Sequence, residues 1–294
     1  MEYYSVNQYL RDTFGQKVYK IALDGGFTCP TRDGSLARGG CIFCSAEGSG
    51  DFAQKVKPGD VDAQIEKAKK RVEAKISGDG KYIAYFQSFT GTYGPVEYMK
   101  SLYNEAISNP DVVALSIATR PDCLPDEVLD MLSELNRKKP VWIELGLQTI
   151  HKKTADYIRR GYELEVYDEA VKKLKNIGIA QIIVHVILGL PGETEDMMLS
   201  TVKYVADSGA NGIKLQLLHV LKGTDLEKEY LAGKFQVMTM EEYVKLVRKC
   251  LEIIPRDMVV HRLTGDGDKR ILVAPEWSGD KKRVLNALNY ELRQ

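Results

Sequence analysis

VWIELGLQTIHKKTADYIRRGY, residues 141–162, opens with a strand whose two faces differ in kind. Ile143, Leu145 and Leu147 are apolar, while the alternate positions are Glu144, Gly146 and Gln148. Side chains along a strand point to opposite faces in turn, so one face suits packing under helices and the other does not. The same split recurs along the chain. Lys20, Ala22 and Asp24, then Tyr85 and Gln87, then Ser116, Ala118 and Arg120 form the polar sets of three earlier segments. Gln181, Ile183 and His185, then Lys214, Gln216 and Leu218, form those of two later ones. A parallel sheet covered on both faces is apolar throughout, and six successive strands cannot all be edges. The polar sets are therefore expected to line a lumen that is open to a polar ligand, unlike a dry barrel core.

Working outward, strands are expected at 17–24, 81–87, 112–118, 141–147, 180–188 and 212–218. Helices are expected near 60–76, 95–107, 125–137, 165–176 and 194–208. That order gives an α/β fold, a partial (β/α)6 TIM-like barrel. Residues 1–225 are read as the barrel with an N-terminal extension. Residues 226–294 are read as a C-terminal extension packed on it, with a helix near 239–253, a strand near 258–263, the turn TGDGD and a closing helix near 281–292. A chain of 294 residues, 44% apolar, can bury a core of this size. Lys plus Arg and Asp plus Glu both number 41, so the overall charge gives no sign of nucleic-acid binding. The start, MEYYSVNQYLRDTFG, has no apolar signal region, and no stretch approaches the roughly 20 apolar residues of a membrane span. No membrane association and a cytoplasmic location are expected.

Of the five cysteines, Cys123 and Cys250 stand alone and are read as small buried hydrophobes. Cys29, Cys41 and Cys44 form a cluster in a loop rich in glycine (Gly34, Gly39, Gly40), which lets the backbone fold back and bring three thiols together. Structural zinc takes four Cys or His ligands, and this loop offers no fourth, although one can arrive from afar. A thioredoxin-type pair at Cys41 and Cys44 would not carry an extra cysteine upstream. Three cysteines suit a [4Fe-4S] cluster with one iron left open to a small ligand.

The loop CPTRDGSLARGGCIFC (29–44), placed after a first strand, resembles the radical SAM superfamily, in its Elongator-catalytic-subunit-like branch. The resemblance covers roughly residues 15–225 and continues into RLTGDGD and APEWSGDKKRVLNALN, which are similar to the C-terminal extension of a bacterial subgroup. It implies a radical SAM enzyme whose [4Fe-4S] cluster, on Cys29, Cys41 and Cys44, binds S-adenosylmethionine and generates a 5′-deoxyadenosyl radical. It implies cofactor contacts at Gln87 and Thr90 in YFQSFTGTYG, where many members carry Gly-Gly-Glu. Glu144, Gln148 and Arg160 are implied for the ribose and carboxylate, and Ile187 and Leu218 for adenine. No catalytic residue is identified. His185 and His219 are candidate acid–base groups, and Lys20, Arg120, Lys214 and Gln216 are candidates to hold an anionic substrate group. The bacterial subgroup is associated with tRNA wobble-uridine modification, from carboxymethylaminomethyl to aminomethyl. The implied partners are tRNA and a reductant such as flavodoxin or ferredoxin. Basic runs at 67–75, 136–140 and 280–284 are candidate phosphate contacts. Two other function classes remain open from the residues alone: a radical enzyme acting on a small molecule or protein, and a zinc-stabilised binding module.

Overall fold

The computed structural model describes residues 2–48, 50, 53–72, 80–265, 267 and 269–294. Asp266 and Asp268 of the TGDGD turn, and residues 73–76 of the helix expected near 60–76, lie outside the described residues. Six strands form where alternation predicts them: β1 (Val18–Asp24), β3 (Lys81–Phe86), β4 (Val112–Thr119), β5 (Val141–Gln148), β6 (Gln181–Leu188) and β7 (Gly212–Leu217). They lie side by side in that order, all parallel. Two short strands extend the sheet to eight. β2 (Gln54–Lys55) flanks β1, and β9 (Val259–Arg262) runs parallel to β7. Among the described residues the two ends, β2 and β9, do not pair, so the barrel is partial.

Helices α2 (Val61–Lys70), α3 (Val96–Ser108), α4 (Asp126–Asn136), α6 (Leu164–Asn176), α7 (Glu195–Asp207) and α9 (Met240–Ile253) alternate with these strands. The apolar strand faces pack beneath them. Ile143, Leu145, Leu147, Ile182, Val184 and Val186 are buried in one cluster with Tyr167, Leu174, Val202 and Val205. Short side chains end the unpaired backbone turns: Thr194 caps α7, and Thr239 and Glu242 form a reciprocal cap on α9.

The lumen is stratified. Its lower end is packed by Val18, Ile83, Ala114, Trp142 and Ile183, with Leu10 of α1 (Val6–Phe14) inserted as a stopper. Gln181 at the start of β6 apart, polar residues begin one layer above, so most of the polar strand positions lie in the C-terminal half of the barrel, where parallel α/β folds place their sites. Short helices close over this end: α5 (Lys152–Tyr157) follows β5, and α8 (Asp225–Leu231) follows the short strand β8 (Val220–Leu221), which pairs antiparallel with β10 (Leu272–Ala274). The chain ends in α10 (Lys281–Glu291). No helix among the described residues is long and apolar enough to cross a membrane.

Candidate active site

The cysteine loop leaves β1 and is folded back on itself by one guanidinium. Arg32 donates to the carbonyls of Cys44 (3.3 Å), Ala46 (3.3 Å) and Ser45. Gly40 makes this possible, because a Cβ there would stand 2.9 Å from Arg32 Nε, and its φ of 76° is one that side-chain-bearing residues rarely adopt. The backbone N–H of Ile42 bonds the carbonyl of Ile158 (3.4 Å), and the N–H of Leu226 bonds that of Ile42 (3.0 Å), which ties the loop to α5 and α8. The excursion of eleven residues between Cys29 and Cys41 is thereby closed. Cys29, Cys41 and Cys44 all line one cavity of ≈ 300 Å³ at the top of the lumen.

The residues implied for cofactor contacts line that same cavity: Gln87, Thr90, Glu144, Gln148, Arg160, Ile187 and Leu218; of the candidates for an anionic group, Arg120, Lys214 and Gln216 line it, and Lys20 is not among its lining residues. Their environments differ. Gln148 ends β5 with a φ of 70° and turns back over Gly146, where a Cβ would meet its amide nitrogen at 3.0 Å. Such strain in a residue other than glycine persists only where surrounding structure enforces it. Ile187 and Leu218 belong to an apolar wall with Ile42, Ile158, Leu190 and Leu226.

Arg160 is buried instead of lying on a solvated helix end. It donates to the carbonyls of Thr149 (2.6 Å), Leu147 (3.5 Å) and Tyr162 (2.9 Å), and stacks on the Tyr162 ring at 4.5 Å. In this arrangement it clamps the turn after β5. Arg120 makes a bidentate pair with Asp122 (2.9 and 2.7 Å).

Glu144 sits deeper. Its side chain is 0% exposed, and both oxygens are engaged. Oε1 accepts from Lys20 Nζ (2.6 Å) and Ser116 Oγ (2.8 Å), and Oε2 from His185 Nε2 (2.8 Å) and Lys214 Nζ. Lys20 and Lys214 also lie against the Tyr85 ring, each 4.8 Å from its centroid. Although burial opposes it, the two lysines and His185 hold the Glu144 carboxyl well below its usual range. Burial lowers Lys214 to about 7, against the raising effect of Glu144. Burial, with Lys214 next, lowers His185 to about 4.

His185 thus stays neutral in the folded protein where the unfolded chain takes up a proton near pH 6.5. The unfolded state binds the extra proton between those values, so stability falls as pH drops from 6.5 to 4, by about 3 kcal/mol. Urea midpoints across that range should show the loss, and His185→Gln should flatten it.

Near the mouth, Cys29 Sγ lies 3.1 Å from Thr31 Oγ1. The hydrogen bond from Cys41, followed by the charges of Arg32 and Arg120, pulls the Cys44 thiol down to about 7. Among the described residues, no three His, Cys, Asp or Glu side chains converge as ligands of a single ion. A [4Fe-4S] cube places each thiolate on a different iron, so it needs no such convergence.

Residues 36–205 match the Radical SAM superfamily and residues 210–294 match the Radical SAM C-terminal domain. The chain belongs to the radical SAM superfamily. It is an enzyme of the kind that works with a [4Fe-4S] cluster and S-adenosylmethionine. Protein YtqA of Bacillus subtilis (strain 168) is 51% identical over 290 residues, which span 99% of this chain and 89% of that one. The tRNA uridine(34) acetyltransferase of Methanocaldococcus jannaschii is 26% identical over 182 residues, 61% of this chain and 32% of the relative. The fold is similar to that of the archaeal Methanocaldococcus infernus Elp3, with a TM-score of 0.68 at 19% identity, over 93% of this chain and 63% of the Elp3 chain. These relationships place the radical SAM chain in the Elongator-like branch. The residues present fit the cofactors: three thiols line one cavity, the guanidiniums of Arg32 and Arg120 favour the Cys44 thiolate, and the lining combines polar side chains with the apolar cluster of Ile187 and Leu218.

Sequence reasoning missed Arg262 of β9, which lines the cavity, and His261 beside it, which packs edge-on against Trp142 at 5.6 Å. The expected strand near 258–263 was the available signal; its place beside β7 was not. His219 lines the cavity, close to Gly265 and Gly267. The basic run 136–140 stands apart from the cavity, with Arg137 and Lys138 exposed. It precedes β5, at the end of the barrel away from the cysteines, and Lys139 donates to the carbonyls of Asn109 (2.9 Å) and Val112 (2.6 Å). In the run 67–75, residues 73–75 lie outside the described residues, and Lys69 is paired with Asp111 at 2.9 Å. Lys281, Lys282 and Arg283 are exposed at the start of α10.

Proposed function

We propose that this radical SAM enzyme oxidatively removes the carboxymethyl part of a 5-carboxymethylaminomethyl group on a tRNA wobble uridine, leaving an aminomethyl group, with water supplying the oxygen of the released glyoxylate and S-adenosylmethionine, converted to methionine and 5′-deoxyadenosine, as the two-electron oxidant. The observation that carries this reading is one cavity whose lining joins Cys29, Cys41 and Cys44 to basic side chains including Lys214 deeper in, a combination that suits an extruded nucleobase bearing an anionic side chain. Cys29, Cys41 and Cys44 would hold the cluster. Gln87, Thr90 and Gln148 would meet the polar groups of S-adenosylmethionine, and Ile187 and Leu218 would flank its adenine. When bound there, these cofactors supply a 5′-deoxyadenosyl radical able to take a hydrogen atom from a carbon.

The chain's own residues do the positioning. Arg160 fixes the turn that carries Gln148, and Glu144 holds Lys20, Lys214 and His185 at the floor. Similarity to a tRNA uridine(34) acetyltransferase supports the choice of a wobble uridine. The exposed cations at Lys281–Arg283 suit a phosphate backbone. A small electron-transfer protein such as flavodoxin or ferredoxin would supply electrons.

The test is to incubate the reconstituted enzyme with S-adenosylmethionine, reductant and tRNA bearing the carboxymethylaminomethyl group, then digest the tRNA and identify its nucleosides. Aminomethyluridine should appear in step with 5′-deoxyadenosine. Formation of 5′-deoxyadenosine beside unchanged uridine would reject the tRNA reading and point to a small-molecule or protein substrate.

A further inference from the structure

Thiols and guanidiniums aside, the described titratable side chains that line the cavity are Tyr85, Glu144, His185, Lys214 and His219. Most are badly disposed to take a proton from a ligand. Each Glu144 oxygen already accepts two hydrogen bonds. Burial raises Tyr85 well above its usual range, which keeps the phenol protonated. The Lys214 nitrogen is buried between Glu144 and the Tyr85 hydroxyl. The His219 ring is wedged between Gly265 and Gly267, where Cβ atoms would stand 2.6 and 2.9 Å from it.

His185 differs. Its Nε2 is 2.8 Å from Glu144 Oε2, and a carboxylate that Lys20 and Lys214 hold ionised can only accept, so Nε2 carries the proton. That tautomer leaves the lone pair on Nδ1. Nδ1 has no hydrogen-bond partner among the described residues and is not sealed off, the side chain being 19% exposed. In register, His185 stands between Lys214 of β7 and Gly146 of β5. Gly146 has no side chain, so that flank of the ring is open to the cavity which both residues line. Burial and the charge of Lys214 keep the ring neutral at pH 7, with Glu144 and Arg262 the other charges in reach. An imidazole fixed by a carboxylate, with its second nitrogen free, is equipped to draw a proton from water.

We propose that His185, oriented by Glu144, is the general base that activates the water needed to release glyoxylate. The inference rests on the wobble-uridine reading for the identity of the substrate. Two-electron oxidation of the carboxymethyl carbon, with S-adenosylmethionine as the oxidant, leaves an iminium between that carbon and the side-chain nitrogen. Water adds to the carbon: a C–O bond forms, the π electrons of C=N move to nitrogen, and a water proton passes to His185 Nδ1. The imidazolium then returns this proton to the nitrogen. The C–N bond breaks with its electron pair on nitrogen, the hydroxyl gives its proton to solvent, and glyoxylate and the aminomethyl group separate. Glu144 is a positioning residue, which selects the tautomer and stabilises the imidazolium while it lasts.

The experiment follows a single turnover of reconstituted, reduced enzyme with S-adenosylmethionine and tRNA bearing the carboxymethylaminomethyl group, stopped at intervals with sodium cyanoborodeuteride. Any iminium present is reduced back to the carboxymethylaminomethyl group with one deuterium, which mass spectrometry of the digested nucleosides counts beside aminomethyluridine. 5′-Deoxyadenosine is measured in the same samples. His185→Gln should form 5′-deoxyadenosine at close to the wild-type rate, yield aminomethyluridine about a hundredfold more slowly and accumulate the deuterium label. Glu144→Gln, whose amide can donate to the ring and favour the other tautomer, should accumulate the label to a smaller extent. Aminomethyluridine at the wild-type rate in folded His185→Gln overturns the inference. So does a fall in 5′-deoxyadenosine and aminomethyluridine together without label, the mark of a merely structural role. Should His185→Gln not fold, a Glu144→Gln enzyme with no more label than wild type overturns it instead. A wild type that makes 5′-deoxyadenosine and leaves the uridine unchanged rejects the wobble-uridine reading and the inference with it; conversion by wild type and His185→Gln alike rejects the inference alone.

Discussion

Replacing Cys41 with alanine is expected to reduce 5′-deoxyadenosine formation to background after anaerobic reconstitution with iron and sulfide, and to lower the iron and sulfide retained per chain. The thiol is the part that matters, because the loop around it is held by other bonds. Arg32 gathers the carbonyls of residues 44–46, and the backbone at Ile42 is tied on both sides to Ile158 and Leu226. Removing one sulfur leaves those bonds in place, so circular dichroism and the urea midpoint should stay close to wild type. Cys250→Ala is the matching control: that thiol is buried in the helix-side core, and its loss should leave 5′-deoxyadenosine formation unchanged. A fully active Cys41→Ala enzyme, or a wild type that retains stable tetrahedral zinc and makes no 5′-deoxyadenosine, would refute the assignment of these cysteines.

The cysteines were legible because three soft ligands in one glycine-rich loop have few uses. The lumen was legible because a polar side chain at every second strand position has no place under a helix. What escaped depends on relations between distant segments. Parity put Glu144 and Gln148 on the same face, yet Gln148 stands at the rim with a left-handed backbone, while Glu144 lies near the floor with Lys20 and Lys214. Four residues of strand separate a rim position from a floor position, and only the stagger of neighbouring strands shows which is which. Arg160 is a similar case. Its charge was evident, but the carbonyls of Leu147, Thr149 and Tyr162 that absorb it are brought together by the turn itself. Helix α1 was overlooked although Ser5 and Gly15 bracket it as caps, because its single buried residue, Leu10, gives a weak periodic signal.

Glu144→Leu is expected to cost about 3 kcal/mol in stability at neutral pH, at the lower end of the ~3–5 kcal/mol typical when one member of a buried ion pair is removed. The leucine is close to glutamate in size, and the damage comes from the polar partners it leaves behind. Lys20 keeps 23% of its side chain exposed and can turn toward solvent, whereas Lys214 keeps 6% and cannot. Lys214 escapes part of the penalty by losing its proton. Its pKa is already about 7 with Glu144 beside it, and without that carboxylate it falls further, so shedding the proton at pH 7 costs little. The same reasoning fixes the pH dependence. At pH 6 the wild-type pair is fully charged and the mutation removes all of its contribution; at pH 8 Lys214 is largely neutral in both proteins, and the difference should shrink. The double variant Glu144→Leu/Lys214→Met should recover much of the lost stability, since replacing both members of a buried pair by apolar groups is often neutral or better. Urea unfolding of the four proteins at pH 6 and pH 8 measures this cycle. A loss that is independent of pH, or a double variant no more stable than Glu144→Leu, would mean that packing around residue 144, and not its charge, holds the floor of the lumen together.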